Sequence, residues 1–265
     1  MAEKRYIRVE RRGAVAEIVF NRPEKKNALS RDAIREIISA LEELQDDASV
    51  AVVLTTGAGD ESYCAGRDLT EFPRDPTSPE RYDRRALPRA YHVAEVIRNY
   101  PKVTIAVVNG YCLGAGITLL LPHDLAIASQ EKALFGLPEV MRGFLPYPIV
   151  ATIFRANIPT KLAFELILTG KNWNAEKAME AGLINRVVPH RQLAEEAWKW
   201  GEEIARWDKL TLQYCKMAAH ASMEASTLPA AAEIAWLMQQ EHSAINPKAF
   251  EGMRAFLDKK GPKAR

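Results

Sequence analysis

A glycine-rich turn is the first feature of this chain whose residue types and spacing suggest chemistry. An apolar run from Val103 to Val108 ends at Asn109-Gly110, and the turn Gly114-Ala115-Gly116 leads into a second apolar run that contains Thr118. This pattern predicts a strand, a tight turn and a helix. Unpaired backbone N–H groups at a helix start, together with the helix dipole, favour negative charge. A carbonyl oxygen that acquires charge would be held there.

A carboxylate and a second loop complete this candidate site. Glu139 follows the turn in a largely apolar stretch and is a candidate base. The loop from Cys64 to Asp68 also brings small residues and a backbone N–H to the end of an apolar strand. Two N–H donors that converge on one oxygen form an oxyanion hole. The two loops and the glutamate together predict a site that stabilises a developing negative charge.

Composition narrows the class of protein. The 265 residues include 36 Lys+Arg and 34 Asp+Glu, and 48% are apolar. One compact unit is expected from this length, and the balanced, interspersed charge argues against nucleic acid or an anionic membrane as a partner. Three cysteines without framework spacing indicate a reducing compartment. With no signal-peptide pattern and no apolar run of roughly 18 residues, we expect a soluble, cytoplasmic protein.

Periodicity predicts a βα-rich core followed by helices. Ser30 is a candidate N-cap for a helix, Val50 to Thr55 reads as a strand buried on both faces, and nearly everything beyond Gln192 is helical. Histidines are scattered without metal-ligand spacing, so no metal site is predicted. We expect a core over residues 1–200 and a C-terminal helical region over 201–265. The polar, proline-containing segment from 72 to about 88 is the least determined part of the chain.

Short motifs occur in a fixed order along nearly the whole chain. They are Asn21-Arg22-Pro23, Asn27-Ala28-Leu29, Cys64-Ala65-Gly66-Arg67-Asp68-Leu69, Asn109-Gly110-Tyr111-Cys112-Leu113-Gly114-Ala115-Gly116, Asp124-Leu125, Phe135-Gly136-Leu137-Pro138-Glu139, Leu168-Thr169-Gly170 and Gly182-Leu183-Ile184. In this order and at these separations they resemble the crotonase, or enoyl-CoA hydratase/isomerase, superfamily. The resemblance implies an α/β spiral of ββα units whose C-terminal helices build trimers, often paired into hexamers. It also implies acyl-CoA thioester substrates, with coenzyme A entering only as part of the substrate and no other cofactor.

The resemblance also implies roles for individual residues. The two donors to a thioester enolate fall on the N–H groups of Arg67 and Ala115, and the catalytic carboxylate falls on Glu139. Ala115 stands where the family more often has glycine, so its backbone must keep an ordinary conformation. Lys25 or Lys26 would lie near the CoA phosphates or pantetheine, or else belong to a solvated loop. The residues implied to line the substrate site are Lys26, Cys64, Ala65, Gly66, Asp68, Gly114, Thr118 and Tyr147.

Two departures from typical hydratases limit the reaction. Thr118 stands where the first of two catalytic glutamates is expected, and a hydroxyl cannot act as a carboxylate base. A single glutamate resembles the Δ3,Δ2-enoyl-CoA isomerases and the hydroxycinnamoyl-CoA hydratase-lyases. After Pro146 the usual glycines are replaced by Tyr147-Pro148, which implies a reshaped acyl pocket. Tyr147 resembles a tyrosine of methylmalonyl-CoA decarboxylase-like members that contacts the acyl carboxylate, or it packs under a loop.

The sequence therefore predicts an acyl-CoA enzyme that uses Glu139 as its only carboxylate acid/base. Double-bond isomerisation, hydration or elimination, and hydratase-lyase cleavage stay open. An acyl-CoA decarboxylase or hydrolase of the same fold is the alternative within enzymes. Outside enzymes, an RNA- or CoA-binding module is the alternative, because some relatives bind RNA through a lysine-rich helix. The expected assembly is a homotrimer or a dimer of trimers.

Overall fold

Strand pairs alternate with helices along the chain. The computed structural model describes residues 6–71, 88–147, 149–154 and 158–258, so nearly all of the segment from 72 to 88 lies outside the described residues. The strands and α-helices are β1 (Ile7–Arg12), β2 (Val15–Phe20), α1 (Arg31–Asp46), β3 (Val52–Gly57), β4 (Ser62–Cys64), α2 (Pro88–Arg98), β5 (Val103–Val108), β6 (Tyr111–Leu113), α3 (Ala115–Leu120), β7 (Leu125–Ser129), β8 (Leu134–Gly136), α4 (Ile149–Ile153), α5 (Thr160–Thr169), β9 (Trp173–Asn174), α6 (Ala175–Glu180), β10 (Arg186–Val188), α7 (Leu193–Ala205), α8 (Lys209–Glu224), α9 (Leu228–Ile245) and α10 (Lys248–Leu257).

The strands form two sheets, and successive segments of the chain contribute to both. The six-stranded sheet has the order β1-β2-β3-β5-β7-β10, and the four-stranded sheet has the order β4-β6-β8-β9. In the pairs β3–β4, β5–β6 and β7–β8, the first strand lies in the larger sheet, the second lies in the smaller one, and a helix follows. This repeated ββα unit winds the chain into a spiral. Strand β9 then joins the smaller sheet, and β10, which comes after α6, joins the larger one. The predicted α/β fold class is confirmed.

The central strands of the larger sheet are covered on both faces. All six residues of β5 are buried, and β3 is buried except for Thr56. One face of the sheet packs into the main core, while the other packs against Trp198 and Trp200 of α7. A parallel sheet covered in this way explains the continuous β-branched runs. Because α7 spans residue 200, the predicted boundary between core and helical region falls inside an element that packs on the sheet.

Local signals in the sequence set several helix ends, among them the predicted cap at Ser30. Ser30 accepts a hydrogen bond from the N–H of Ala33 at 3.1 Å and so caps α1. Asn174 caps α6 in the same way through the N–H of Lys177. Pro159 is the N-cap of α5. Amides at a helix start have no partner within the helix, so the missing N–H of proline costs no hydrogen bond there.

The four-stranded sheet was not predicted. Between the apolar run of β5 and the start of α3 the chain forms β6, a three-residue strand, where the sequence pattern indicated only a turn. Tyr111, Cys112 and Leu113 pair in parallel with Leu134, Phe135 and Gly136 of β8. Three residues are too few to show the alternation of a strand, so β6 is recognised only from its partners in the sheet.

The C-terminal helices α8 and α9 pack on each other and leave large apolar side chains exposed. Among them are Met223, Leu228, Trp236, Leu237 and Ile245. None of the helices in the described ranges has the length and apolar character needed to cross a membrane.

One buried ion pair ties α8 to the amino ends of the central strands. The Lys216 ammonium lies 2.9 Å from a carboxylate oxygen of Asp124, and the two side chains are only 8% and 17% exposed. The same carboxylate oxygen accepts hydrogen bonds from the N–H and the hydroxyl of Thr104. Helix α8 is therefore held by charge as well as by apolar packing.

We expect Lys216→Met to destabilise the protein by about 3 kcal/mol, because it leaves a buried carboxylate without its counter-charge. Urea unfolding at one fixed protein concentration measures the change. Lys199→Met is the matched control, since its pair with Glu196 is exposed and should contribute less than about 1 kcal/mol. Equal losses in the two variants would contradict this account.

Candidate active site

The two loops predicted to carry backbone donors touch each other. A Cβ placed on Gly66 would lie 3.2 Å from the Leu113 carbonyl oxygen, 3.7 Å from the Ala115 nitrogen and 3.9 Å from the Gly114 Cα. Gly66 also has a φ of +109°, which side chains rarely adopt. The loops 64–68 and 113–117 therefore meet backbone to backbone.

The smaller sheet explains why these loops meet. Strands β4 and β6 are parallel neighbours, with Cys64 opposite Cys112, so both chains leave the sheet at the same edge. Helix α3 then starts directly on β4, because a Cβ on Gly116 would lie 2.3 Å from the Cys64 carbonyl oxygen. Only glycine permits such a close approach of backbones.

Ala115 is the first residue of α3. Gly114 precedes it with φ 53° and ψ −118°, so the unusual backbone conformation falls on a glycine. Ala115 is not among the positive-φ residues of the described chain, which confirms the prediction that alanine here keeps an ordinary conformation. Its N–H belongs to the first turn, whose amides have no acceptor within the helix.

Arg67 is placed by an isolated parallel bridge to Leu29. The N–H of Leu29 donates to the Gly66 carbonyl at 2.8 Å, and the N–H of Asp68 donates to the Leu29 carbonyl at 2.9 Å. In such a bridge the central residue directs its own N–H to the opposite side. The Arg67 amide therefore points away from Leu29.

Glu139 lies against the turn at the start of α3. Its Oε1 atom is 2.5 Å from the position that a Cβ on Gly114 would occupy. The N–H of Gly114 bonds to the carbonyl of Gly136 at 2.9 Å, so β8 delivers the glutamate to this place. Burial raises the pKa of Glu139, and Oε2 is buried without a hydrogen-bond partner among the described residues. A carboxylate in this environment is a stronger base than a solvated one.

Thr118 lies four residues after Gly114, on the same side of α3. It is 1% exposed, and its hydroxyl has no hydrogen-bond partner within the described residues. A buried hydroxyl left without a partner costs about 1–3 kcal/mol, so its presence needs an explanation beyond packing.

Asp68 and Lys26 both have partners within the protein. The hydrogen bonds of Thr70 and Arg22 lower the pKa of Asp68 to about 2, against the opposing effect of burial. The Lys26 ammonium pairs with Glu61. The backbone carbonyl of Lys26 accepts a hydrogen bond from the N–H of Ala65 at 3.0 Å. Lys26 therefore lies at the rim of loop 64–68, where the family resemblance leads us to expect coenzyme A.

The thiols beside the two loops are not nucleophiles. Cys64 and Cys112 are both fully buried. Burial raises the pKa of the Cys64 thiol to about 12, and it raises that of Cys112 well above its ordinary value. Both side chains therefore stay protonated and serve as small apolar groups.

Tyr147 is 57% exposed, which excludes the alternative that it packs beneath a loop. It ends a surface stretch after Glu139 in which the large apolar side chains are also exposed, namely Val140, Met141, Phe144 and Leu145. Its N–H bonds to the Leu145 carbonyl at 2.7 Å. The structure thus leaves the tyrosine ring accessible on the same chain segment as the glutamate.

Arg22 and Asn27 received no role from the sequence, although both belong to its ordered motifs. Arg22 bonds to Asp68 of the loop 64–68, and Asn27 bonds to the carbonyl of Ser62 at the start of β4. The sequence feature that could have indicated a role for these two residues is their place in two of the ordered motifs, to which no function was assigned.

A separate groove of about 1090 Å³ lies at the amino ends of β5 and β7. Asp124, Lys216 and His220 are among its lining residues, and Gly114 and Glu139 are not. Among the residues that the structure describes, no cluster of three or more His, Cys, Asp or Glu side chains could hold a metal ion.

Comparison with known proteins shows the family of this chain. The family model described as enoyl-CoA hydratase/isomerase matches residues 10–264. A probable mitochondrial enoyl-CoA hydratase of Dictyostelium discoideum is 38% identical over 255 residues, which cover 96% of this chain and 88% of the relative. The hydroxycinnamoyl-CoA hydratase-lyase of Pseudomonas fluorescens is 36% identical over 212 residues, covering 79% of this chain and 76% of the relative.

Solved structures match over nearly the whole length. An enoyl-CoA hydratase from Bacillus anthracis superposes with a TM-score of 0.88 at 30% identity, covering 97% of this chain and 98% of that one. An enoyl-CoA hydratase from Mycobacterium smegmatis gives a TM-score of 0.90 at 29% identity, covering 98% and 99%. With a family model that matches almost every residue and a fold shared from end to end, this chain belongs to the enoyl-CoA hydratase/isomerase family.

Proposed function

We propose that this enzyme acts on an acyl-CoA thioester and stabilises its enolate between the N–H groups of Arg67 and Ala115. Glu139 is the only carboxylate acid/base. The observation that carries the proposal is the position of the Glu139 carboxyl group against Gly114, one residue from the Ala115 amide. A base and an oxyanion donor then face the same small space, as proton transfer next to a thioester requires.

The reaction that this set of groups supports best is double-bond isomerisation. The Glu139 carboxylate removes a proton from the carbon next to the double bond of a 3-enoyl thioester. The electron pair moves onto the carbonyl oxygen, where the two N–H donors stabilise it. The same carboxyl group returns the proton to the far end of the conjugated system, which leaves the 2-enoyl thioester. No second acid and no separate cofactor are needed.

A hydratase-lyase reaction is the second candidate, and Thr118 favours it. The buried Thr118 hydroxyl, which has no partner in the part of the chain that the structure describes, is suited to hold a water molecule or a substrate hydroxyl. The relative from Pseudomonas fluorescens is named a hydroxycinnamoyl-CoA hydratase-lyase. In this reaction Glu139 moves the proton while Thr118 positions the oxygen. Decarboxylation or hydrolysis stays as the alternative in which the accessible Tyr147 contacts the acyl group.

We expect Glu139→Gln to abolish turnover of 3-enoyl-CoA and to leave thioester binding nearly unchanged, because glutamine keeps the shape but cannot take a proton. Mass spectrometry of products from 3-enoyl, 2-enoyl, 4-hydroxycinnamoyl and malonyl-type CoA esters measures turnover and identifies the reaction. Turnover by the glutamine variant would contradict the proposed role of Glu139.

The same variant has a stability control. Because burial raises the pKa of Glu139, the ionised carboxylate destabilises the fold as pH rises through that pKa. The glutamine variant has no such charge, so its melting temperature at pH 8 should equal or exceed that of the wild type. A lower melting temperature would mean that lost turnover reflects unfolding.

We expect Thr118→Val to raise the free energy of unfolding by about 1 kcal/mol, because a methyl group of similar size replaces a buried hydroxyl that has no partner among the described residues. Thermal and urea unfolding measure this change. If the hydroxyl positions water, the variant also loses hydration activity while isomerisation persists. Loss of stability would show that the hydroxyl has a partner in the folded protein.

We also propose that the enzyme assembles as a homotrimer or a dimer of trimers in the cytoplasm, with acyl-CoA as its ligand and no nucleic acid partner. The exposed apolar side chains of α8 to α10, among them Trp236 and Leu237, support burial against further copies of the chain.

Light scattering should therefore give three or six times the chain mass of 29.6 kDa. Trp236→Glu should lower the mass, because it places a charge in the apolar contact. Glu233→Gln, on the same helix, is the control. A monomeric wild type would contradict the assembly.

A further inference from the structure

The segment 22–29 lies alongside the loop that carries the Arg67 amide. The N–H of Leu29 donates to the Gly66 carbonyl at 2.8 Å, and the Leu29 carbonyl accepts from the N–H of Asp68 at 2.9 Å. These two bonds flank Arg67 on either side. The position of Leu29 therefore sets the position of the Arg67 backbone.

Asn27 fixes the shape of this segment. Its φ is 54°, in the left-handed region that asparagine tolerates better than most residues. Its side-chain NH₂ group donates to the carbonyls of Ala58 at 3.0 Å and Ser62 at 2.7 Å, and its oxygen accepts from the N–H of Arg22 at 3.0 Å. Asn27 is 2% exposed. One buried amide thus connects the segment to both ends of the link between β3 and β4.

An ion pair closes the other end of the segment. The Arg22 guanidinium donates through Nη2 to Asp68 Oδ2 at 2.8 Å and through Nη1 to the Ala28 carbonyl at 2.7 Å. The two charged side chains are only 13% and 8% exposed. The other Asp68 oxygen accepts from the N–H and hydroxyl of Thr70. The planar fork of arginine joins both chain segments at once, which lysine cannot do.

We propose that Arg22, Asn27 and Asp68 are positioning residues that hold the Arg67 N–H where the thioester oxygen needs it. This inference rests on the proposed function. An oxyanion donor acts only within about 2.7–3.1 Å of the oxygen. A displacement of about 1 Å costs on the order of 100-fold in rate. The clamp between the segment 22–29 and the loop 64–68 is the structural element that prevents such a displacement.

Two conservative variants test the clamp. Asp68→Asn keeps the shape and removes the charge, while Arg22→Lys keeps the charge and removes the fork. Each should lower kcat by about 10- to 100-fold and leave KM within about threefold. The kcat of the double variant should be no lower than that of the slower single variant, because both changes open the same clamp. Asp32→Asn, which breaks the exposed pair with Arg35, is the matched control and should keep wild-type kcat.

A second readout needs no turnover. Backbone donors polarise the carbonyl of bound cinnamoyl-CoA, so its absorption band should move to longer wavelength on binding to the wild type. The shift should be smaller in Asp68→Asn and Arg22→Lys at saturating ligand. A merely structural role predicts a lower melting temperature with an unchanged band shift. Should Asp68→Asn fail to fold, Arg22→Lys decides the matter.

The two proposals fail in different ways. Wild-type kcat and band shift in both clamp variants, with Glu139→Gln inactive, would overturn the positioning role and leave the proposed function intact. A reduced band shift in the clamp variants supports the positioning role even if Glu139→Gln stays active. A wild type with neither turnover nor band shift would overturn both.

Discussion

Contact between two backbones is the constraint on which the candidate site depends. Gly66 and Gly114 lie against each other because neither has a side chain, and both have positive φ values. The missing side chain of Gly114 also leaves the space that the Glu139 carboxyl group occupies. Because these two residues lack side chains, the two loops can touch and Glu139 can lie beside them. The short strands β4, β6 and β8 serve this contact, since each delivers one participant to the same sheet edge.

The site holds polar atoms that the fold alone does not satisfy. One oxygen of Glu139 and the hydroxyl of Thr118 are buried without partners among the described residues. Each costs stability in the free protein, and burial makes the carboxylate more basic. Elsewhere in the core, the buried His123 is well bonded, to the hydroxyl of Thr55 and to the carbonyl of Leu119. We propose that a bound ligand supplies hydrogen-bond partners for Glu139 and Thr118.

Support for the loops comes from a separate layer of charged and amide side chains. Arg22 and Asp68 are paired, and the Asn27 amide bonds three backbone groups. These interactions are directed and short, unlike the apolar packing of the main core. An apolar contact would leave the Arg67 backbone free to shift by fractions of an ångström, whereas a fork of two hydrogen bonds fixes both distance and angle. In the proposed site, the position of the Arg67 N–H thus depends on polar groups that do not themselves react.

Much of this protein was determined by its sequence. The buried runs of β3 and β5 and the cap at Ser30 predicted a βα-rich core, because periodicity and capping are local properties of the chain. The ordered motifs predicted the family and its spiral fold through their resemblance to known members. The replacement of a glutamate by Thr118 was also visible, and it already narrowed the chemistry.

Only the tertiary structure decided how the pieces meet. The smaller sheet is made of strands of two or three residues that exist through their partners, so no local pattern announces them. The pairing of Arg22 with Asp68 joins residues far apart in the chain, and the exposure of Tyr147 depends on how its loop leaves the core. Residue types and their spacing record which groups are present. Distance, burial and basicity arise when remote segments pack, and those are the quantities that turn a glutamate and two glycine loops into a site.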